Sequence, residues 1–261
     1  MEIQSLNNTE WVGKNIYLYE KTGSTNTDAA QLAKEGAPHG TIVVAEEQTD
    51  GRGRRGRCWQ APADSNIYFS MVLRPGVATD RASMLTLVMA MSVVRAVREQ
   101  CGLKAEIKWP NDIVVNKKKV CGILTEMTLE GRSIEYVIVG VGINVNQQEF
   151  PEAIRGTASS LFNESGTTVS REKLLQKVME FFEAYFEKFL KTEDMSQLME
   201  NYNAWLVNKG LQVKVLEPEG EYIGKAYGIN EMGELLVERE NGQVEAVYAC
   251  EVSVRGLYGY V

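Results

Sequence analysis

The stretch "AEIKWPNDIVVNKKKVCGILTEMTLEGRSIEYVIVGVGINVN", residues 105–146, decides the fold. It contains three β-rich runs, broken by turn chemistry at Pro110-Asn111, Asn116 and Glu130-Gly131. Strand runs outnumber crossover helices here, so the sheet is expected to be mixed or antiparallel in this region rather than doubly wound.

Working upstream, "DRASMLTLVMAMSVVRAVREQ" at 80–100 is apolar on more than one face and closed by Gly102, the pattern of a mostly buried helix. "SNIYFSMVLRP" at 65–75 reads as a strand stopped by Pro75, and "GTIVVAEEQ" at 40–48 as another. "GSTNTDAAQLAKEG" at 23–36 reads as a helix, with Thr25 and Asp28 at capping-box spacing and Gly36 ending it. Downstream, residues 170–206 show helical periodicity, with Leu174, Leu175, Val178, Phe181, Phe182, Tyr185, Phe186 and Phe189 forming a core stripe. After Gly210 come short strands joined by Gly and Asn turns, a small β-barrel. The expected fold is α/β (α+β): a domain at 1–208 around a mixed, largely antiparallel sheet, then an SH3-like β-barrel at 209–261.

Composition narrows the function. With 261 residues, 44% hydrophobic and 24% charged, the chain is an ordinary globular protein. No apolar run is long enough for a membrane span, and the start lacks the pattern of a secretory signal. Cys58, Cys101, Cys121 and Cys250 show no CxxC spacing, so neither a disulfide framework nor a zinc site is indicated. A cytoplasmic protein with no membrane partner is the expectation. The single histidine, His39, removes most histidine-base mechanisms, and a net charge of −7 disfavours a long polyanion as partner.

Against that acidic background, "GRGRRGRCW" at 51–59 is a positive island. Gly51, Gly53 and Gly56 allow positive φ, and N–H groups freed there could converge on an anion as in a backbone nest. Arg52, Arg54, Arg55 and Arg57 add guanidinium forks suited to carboxylate or phosphate. A solvated turn or an RNA-binding patch stays open on these residues alone. "KWPND" at 108–112 reads on its own as a Pro-Asn-Asp turn, and "NKKK" at 116–119 as a solvated hairpin.

Taken in order, "STN" at 24–26, "HGTIVVAEEQTDGRGR" at 39–54, "GRGRRGR" with Trp59, "KWPND", "KKVCGIL" at 118–124 and "GVGINVN" at 140–146 resemble the motif set of biotin–protein ligases. The resemblance covers nearly the whole chain. It implies an ATP-dependent enzyme that activates biotin as biotinyl-5′-AMP. The biotinyl group then passes to a lysine of a biotin carboxyl carrier domain of a biotin-dependent carboxylase. ATP and Mg²⁺ are the implied cofactors. Members that also repress transcription carry an N-terminal helix-turn-helix. This chain reaches "STN" by residue 24, so the resemblance implies a short form with no specific nucleic-acid partner.

The same resemblance assigns the residues. Ser24, Thr25, Asn26 and Gln48 face biotin's ureido ring, whose donors and acceptor suit hydroxyls and amides. Arg52, Gly53 and Arg54 close over the biotin tail and carboxylate. Lys119 sits near the carboxylate and the α-phosphate as the catalytic lysine, with Arg54 as the second catalytic group. Arg54, Arg57, Trp59, Lys108, Asn111, Gly122 and Asn144 belong to the ATP and adenylate side. Asp112 holds Mg²⁺ directly or through water. Cys121 is expected to be packed, and His39 to shape the turn before its strand. Members include monomers and dimers, and a free sheet edge near 132–145 is the expected pairing surface for a homodimer. The alternatives are a lipoate or octanoate ligase or transferase of the same superfamily, and a non-catalytic nucleic-acid binder built on the arginine loop.

Overall fold

The computed structural model describes residues 8–59, 62–217, 220–249, 253–256 and 260–261. Cys250 therefore lies outside the described residues.

The chain runs β1 (Ile16–Thr22), α1 (Thr25–Lys34), β2 (Ile42–Gln48), β3 (Ile67–Leu73), α2 (Leu85–Cys101), β4 (Glu106–Lys108), β5 (Asp112–Val115), β6 (Lys118–Glu130) and β7 (Ser133–Ile143). It continues through α3 (Glu152–Arg155), α4 (Leu161–Ser165), α5 (Arg171–Thr192) and α6 (Met199–Trp205). The five strands β8 (Gln212–Glu217), β9 (Gly220–Ile229), β10 (Leu235–Arg239), β11 (Val244–Val247) and β12 (Ser253–Gly256) complete it.

The first seven strands form one mixed sheet in the order β1-β2-β3-β7-β6-β5-β4. Only β1 and β2 are parallel, and every other neighbour pair is antiparallel. The three runs at 105–146 thus form a meander, as their short turns require. Both faces of the sheet are covered, so β3 is buried at every position. Val43, Val72, Tyr136 and Ile138 face Ala29 and Ala33 of α1, while Ile42, Val44, Phe69, Met71 and Val139 belong to the larger core that includes α2 and α5. That split is the period-2 alternation of a strand.

Several expectations need correction. Strand β7 lies between β3 and β6, so 132–145 is interior to the sheet rather than an edge. Its apolar run reflects burial of both its faces. The outer edges are β1, β4 and the part of β6 beyond Ile123, where β5 is too short to pair. Helix α1 begins at Ser24 as N-cap, without a side-chain cap bond. Asp28 instead accepts a hydrogen bond from Thr22 at 2.5 Å, which leaves the Thr25 hydroxyl for other work. The helical pattern at 170–206 is two helices, interrupted after Glu193 at φ 56°. The expected stripe is buried on α5 except Phe181, whose ring lies beneath the Arg95 guanidinium at 4.4 Å.

The C-terminal strands form a separate antiparallel sheet, β11-β10-β9-β8-β12. It docks through the "KWPND" segment. Trp109 is 1% exposed; its indole N–H donates to Gly233 O at 3.1 Å, and its backbone N–H to Asn208 Oδ1 at 2.9 Å. Burying Trp109 leaves Lys108 and Asn111–Asp112, on either side of it, lining the cleft between the sheet and the C-terminal module.

Candidate active site

The loop 49–59 folds back on the sheet as a narrow hairpin. Gly53 N–H donates to Arg57 O at 2.7 Å, and Trp59 N–H to Gly51 O at 2.8 Å. The Gly53 N–H is therefore used within the hairpin rather than turned on an anion, and Gly53 is extended at φ −119°. Positive φ falls on Arg55 (58°) and Gly56 (70°) at the tip. Gly51 is needed for close approach, since a Cβ there would stand 2.5 Å from Trp59 O.

The hairpin lays Trp59 across two glycines paired in register, Gly122 on β6 and Gly142 on β7. A Cβ on Gly142 would come 2.5 Å from the indole, and one on Gly122 would come 2.9 Å from it. The buried Trp59 indole N–H has no hydrogen-bond partner. Beneath the loop is a cavity of about 50 Å³ lined by Ser24, Thr25, Asn26, Gln48, Arg52, Gly53, Arg54, Trp59, Asn111, Lys119 and Gly122, with Gly140 and Gly142 as floor.

Its inner end is a buried polar cluster. The parallel pairing of β1 and β2 puts Thr22 opposite Gln48, so the start of α1 reaches the Gln48 side chain. Gln48 Oε1 accepts from Thr25 N–H at 2.8 Å and from the Thr25 hydroxyl at 3.1 Å. The Ser70 hydroxyl lies 2.6 Å from Asn26 Oδ1 and 2.8 Å from Thr25 Oγ1. Asn26 Nδ2 donates to Glu126 at 2.5 Å. Gly140 makes room for this, because a Cβ there would overlap the Asn26 amide. Ser70 and Glu126 were not expected from the sequence. The signal for Ser70 is the one small polar side chain in a fully buried strand.

On the other side of Lys119 opens a second cavity of about 520 Å³, bounded by Arg54, Arg57, Trp59, Lys108, Asn111, Asp112 and Lys119. Gly156, Thr157, Val254 and Tyr260, none of them expected from the sequence, complete its wall. Lys119 is strapped at its backbone: its N–H donates to Thr157 O at 2.8 Å, and its C=O accepts from Ser159 N–H at 2.9 Å. Its ammonium pairs with Asp112 Oδ1 at 2.5 Å and sits 5.3 Å from the Trp59 ring. Burial alone would raise the Asp112 pKa; the charges of Lys119 and Lys108, with hydrogen bonds from Lys119 and Tyr260, override it and hold the carboxyl below the usual range. Arg54 spans the seam, donating to Asn111 Oδ1 at 3.1 Å and to Ala249 O of the C-terminal module at 2.5 Å.

Two assigned residues sit differently from expectation. Gly122 lines the narrow cavity under Trp59 rather than the larger one. Asn144 lines neither; it is 5% exposed, and its Nδ2 donates to Ser159 O at 3.0 Å. It braces the strap that holds Lys119. His39 accepts the Arg74 N–H at Nδ1 (2.9 Å) and packs on Trp11, the turn-shaping role expected of it. Cys121 is fully buried.

Residues 18–144 match the Biotin/lipoate A/B protein ligase family, and residues 210–255 match the Biotin protein ligase C terminal domain. The chain is 35% identical over 248 residues to the bifunctional ligase/repressor BirA of Bacillus subtilis, covering 94% of this chain and 76% of that one. It is 34% identical over 247 residues to the biotin--[acetyl-CoA-carboxylase] ligase of Paracoccus denitrificans, covering 92% of this chain and all of that one. The biotin protein ligase of Aquifex aeolicus, solved in complex with biotin and ATP, superposes with a TM-score of 0.81 at 33% identity over 93% of this chain and 99% of that one. With both halves matched in order and the glycine-floored cavity beneath the arginine loop, this chain belongs to the biotin/lipoate A/B protein ligase family, among its biotin protein ligases.

Proposed function

We propose that the chain activates biotin with ATP as biotinyl-5′-AMP and transfers the biotinyl group to a lysine of a biotin carboxyl carrier domain. One observation carries the reading: the polar cluster and the larger cationic cavity meet at a single ammonium, that of Lys119. Two reactants held on either side of Lys119 come within reach of each other.

In this reading Ser24, Thr25, Asn26 and Gln48 bind the ureido ring, which presents donors and an acceptor to match them. Arg52, Gly53 and Arg54 cover the tail. A carboxylate oxygen of biotin attacks the α-phosphorus, and the bond to pyrophosphate breaks. Lys119 aligns the two anions and stabilises charge growing on the phosphoryl oxygens, work that one removed donor typically costs about 10²–10³ in rate. Lys108, Arg57 and Asn111 hold the nucleotide, with Trp59 against it. The acceptor lysine then attacks the acyl carbon, and AMP leaves.

Mg²⁺ fits the residues present. Asp112 is a carboxylate held ionised beside the larger cavity, and no cluster of three acidic, His or Cys side chains occurs among the described residues. Asp112 would hold such an ion, with triphosphate and water as its other ligands, the usual Mg²⁺ arrangement. It would supply charge neutralisation of the triphosphate as pyrophosphate leaves.

Catalysis is assigned to 1–208 and the docked β module to 209–261, with Arg54 linking them through Ala249. Met127 and Leu129, 42% and 48% exposed beside the unpaired edge of β6, make that edge the surface for a homodimer. The net charge of −7 argues against a specific nucleic-acid partner. Among the described residues no helix is long and apolar enough to cross a membrane.

Pyrophosphate exchange tests the function, because adenylation needs no acceptor. Biotin and Mg²⁺ should support exchange of labelled pyrophosphate into ATP. Lipoate should support it far less, since a dithiolane leaves the amides and hydroxyls unpaired at about 1–3 kcal/mol each. Equal exchange with lipoate assigns the chain to the lipoate branch; none with either acid, in folded protein, overturns the reading.

A further inference from the structure

Tyr260, C-terminal to β12, lines the larger cavity. Its hydroxyl donates to Asp112 Oδ2, a contact spanning 148 residues. Its ring lies under the Lys108 ammonium, 3.8 Å from Nζ to centroid. Lys119 holds the other oxygen, Asp112 Oδ1. Both carboxylate oxygens are thus taken by groups from different parts of the fold.

From this geometry we propose that Tyr260 is a positioning residue for the nucleotide site: it fixes the Asp112 carboxylate and the Lys108 ammonium in the orientation that receives metal-bound triphosphate. The proposal rests on the reading of Lys108 and Asp112 as nucleotide-site residues, and adds Tyr260 to them. Its logic is a division of labour between the two oxygens. When Lys119 turns to its anionic substrates, Oδ1 faces the cavity, while the phenol keeps Oδ2 and stops the carboxylate from rotating. The ring supplies a second, independent contact, because a cation over an aromatic face is held without any hydrogen bond.

Two substitutions separate the contacts. Tyr260→Phe keeps the ring under Lys108 and deletes the hydrogen bond; Tyr260→Ala deletes both. The probe is α,β-methylene ATP, which cannot be cleaved to the adenylate, titrated calorimetrically into biotin-saturated full-length protein with and without Mg²⁺. Tyr260→Phe should weaken binding with Mg²⁺ about tenfold, the scale of a lost hydrogen bond to a charged group. Binding without Mg²⁺, and of biotin itself, should stay at the wild-type level. Tyr260→Ala should weaken binding in both conditions. In pyrophosphate exchange, Tyr260→Phe should raise the KM for MgATP more than it lowers kcat.

Unchanged Mg²⁺-dependent binding in Tyr260→Phe overturns the proposal and leaves the ligase reading intact. Tighter binding in either variant also overturns it, since Tyr260 would then compete with nucleotide. Equal loss of biotin and nucleotide binding assigns Tyr260 to folding alone and overturns it too. Wild-type protein that binds no nucleotide even with biotin and Mg²⁺ instead removes the reading of the cavity on which the proposal stands.

Discussion

The Lys119 ammonium stands 2.5 Å from Asp112 Oδ1, and Lys119 belongs to the wall, with Gly53, Arg54, Trp59 and Asn111, that the narrow cavity and the larger one share. Asp112 arrives there from the turn after Trp109, while Lys119 comes from the next strand, so a single tight hairpin delivers both charges.

Removing that ammonium should therefore affect chemistry more than binding. Lys119→Ala should slow biotin-dependent pyrophosphate exchange by about 10²–10³, equivalent to about 2.7–4 kcal/mol, with a smaller change in biotin affinity. Lys117→Ala should leave the rate unchanged, since Lys117 is exposed on the hairpin turn at φ 65°. Equal rates in the two variants would sink the assignment of Lys119.

Gly140→Ala should damage the biotin end alone. The added methyl overlaps the Asn26 amide, which touches Ser70 and Glu126. Relief needs movement of a buried, hydrogen-bonded side chain, and overpacking of this sort costs about 1–3 kcal/mol. Biotin affinity by calorimetry should fall about 10- to 100-fold with the fold retained. Wild-type affinity would show that Asn26 is not held as described.

Much of this site was legible in the sequence because its parts are local. "STN", "KWPND" and "KKVCGIL" each put their residues on one turn or one strand, so motif order carried them together. What escaped depends on long-range contacts. Ser70 meets Asn26 across 44 residues, and Tyr260 meets Asp112 across 148. Strand β1, "IYLYEKT", went unseen because five of its seven positions are exposed, as an edge strand permits, and the alternation is lost. The apolar 132–145 run was misread as an edge for the opposite reason: such runs belong to strands covered on both faces. The nest reading does not hold at Gly53, because Arg-Gly alternation also builds a hairpin, and the hairpin uses that N–H.

His39 sets a pH dependence that does not involve catalysis. Burial first, and the Arg74 charge second, hold its pKa below the usual 6.5, so the folded state resists the proton that the unfolded chain accepts. Its contribution to stability is complete above about pH 6.5 and declines as pH falls toward the folded-state value. His39→Asn keeps an acceptor for the Arg74 N–H and removes the titration. Urea unfolding at pH 7.5, 6.5 and 5.5 should show wild type losing more stability on acidification than the variant. Parallel slopes would refute this.

The arginine loop should move when substrates bind. A small-molecule pocket typically holds about 300–1,000 Å³, whereas the cavity beneath this loop holds about 50 Å³ with Trp59 lying on Gly122 and Gly142. Biotin cannot fit without displacing the hairpin, whose Arg54 donates to Asn111 and whose indole lies on Gly122 and Gly142. Once ligands fill the space, the loop has anions to grip and should close over them, as protection of a hydrolysable anhydride demands. Two probes report this. Trypsin should cut at Arg52–Arg57 in the free protein, and biotin plus ATP should suppress the cut. Alkylation at pH 8, read peptide by peptide in a mass spectrometer, should label exposed Cys58 quickly and more slowly with both ligands bound. Cys121 supplies the internal zero, since burial pushes its thiol pKa far up against the opposing charge of Lys119 and keeps it neutral and enclosed. If cleavage and Cys58 labelling run equally fast with and without ligand while Cys121 stays silent, the loop does not close and the intermediate is protected by some other element.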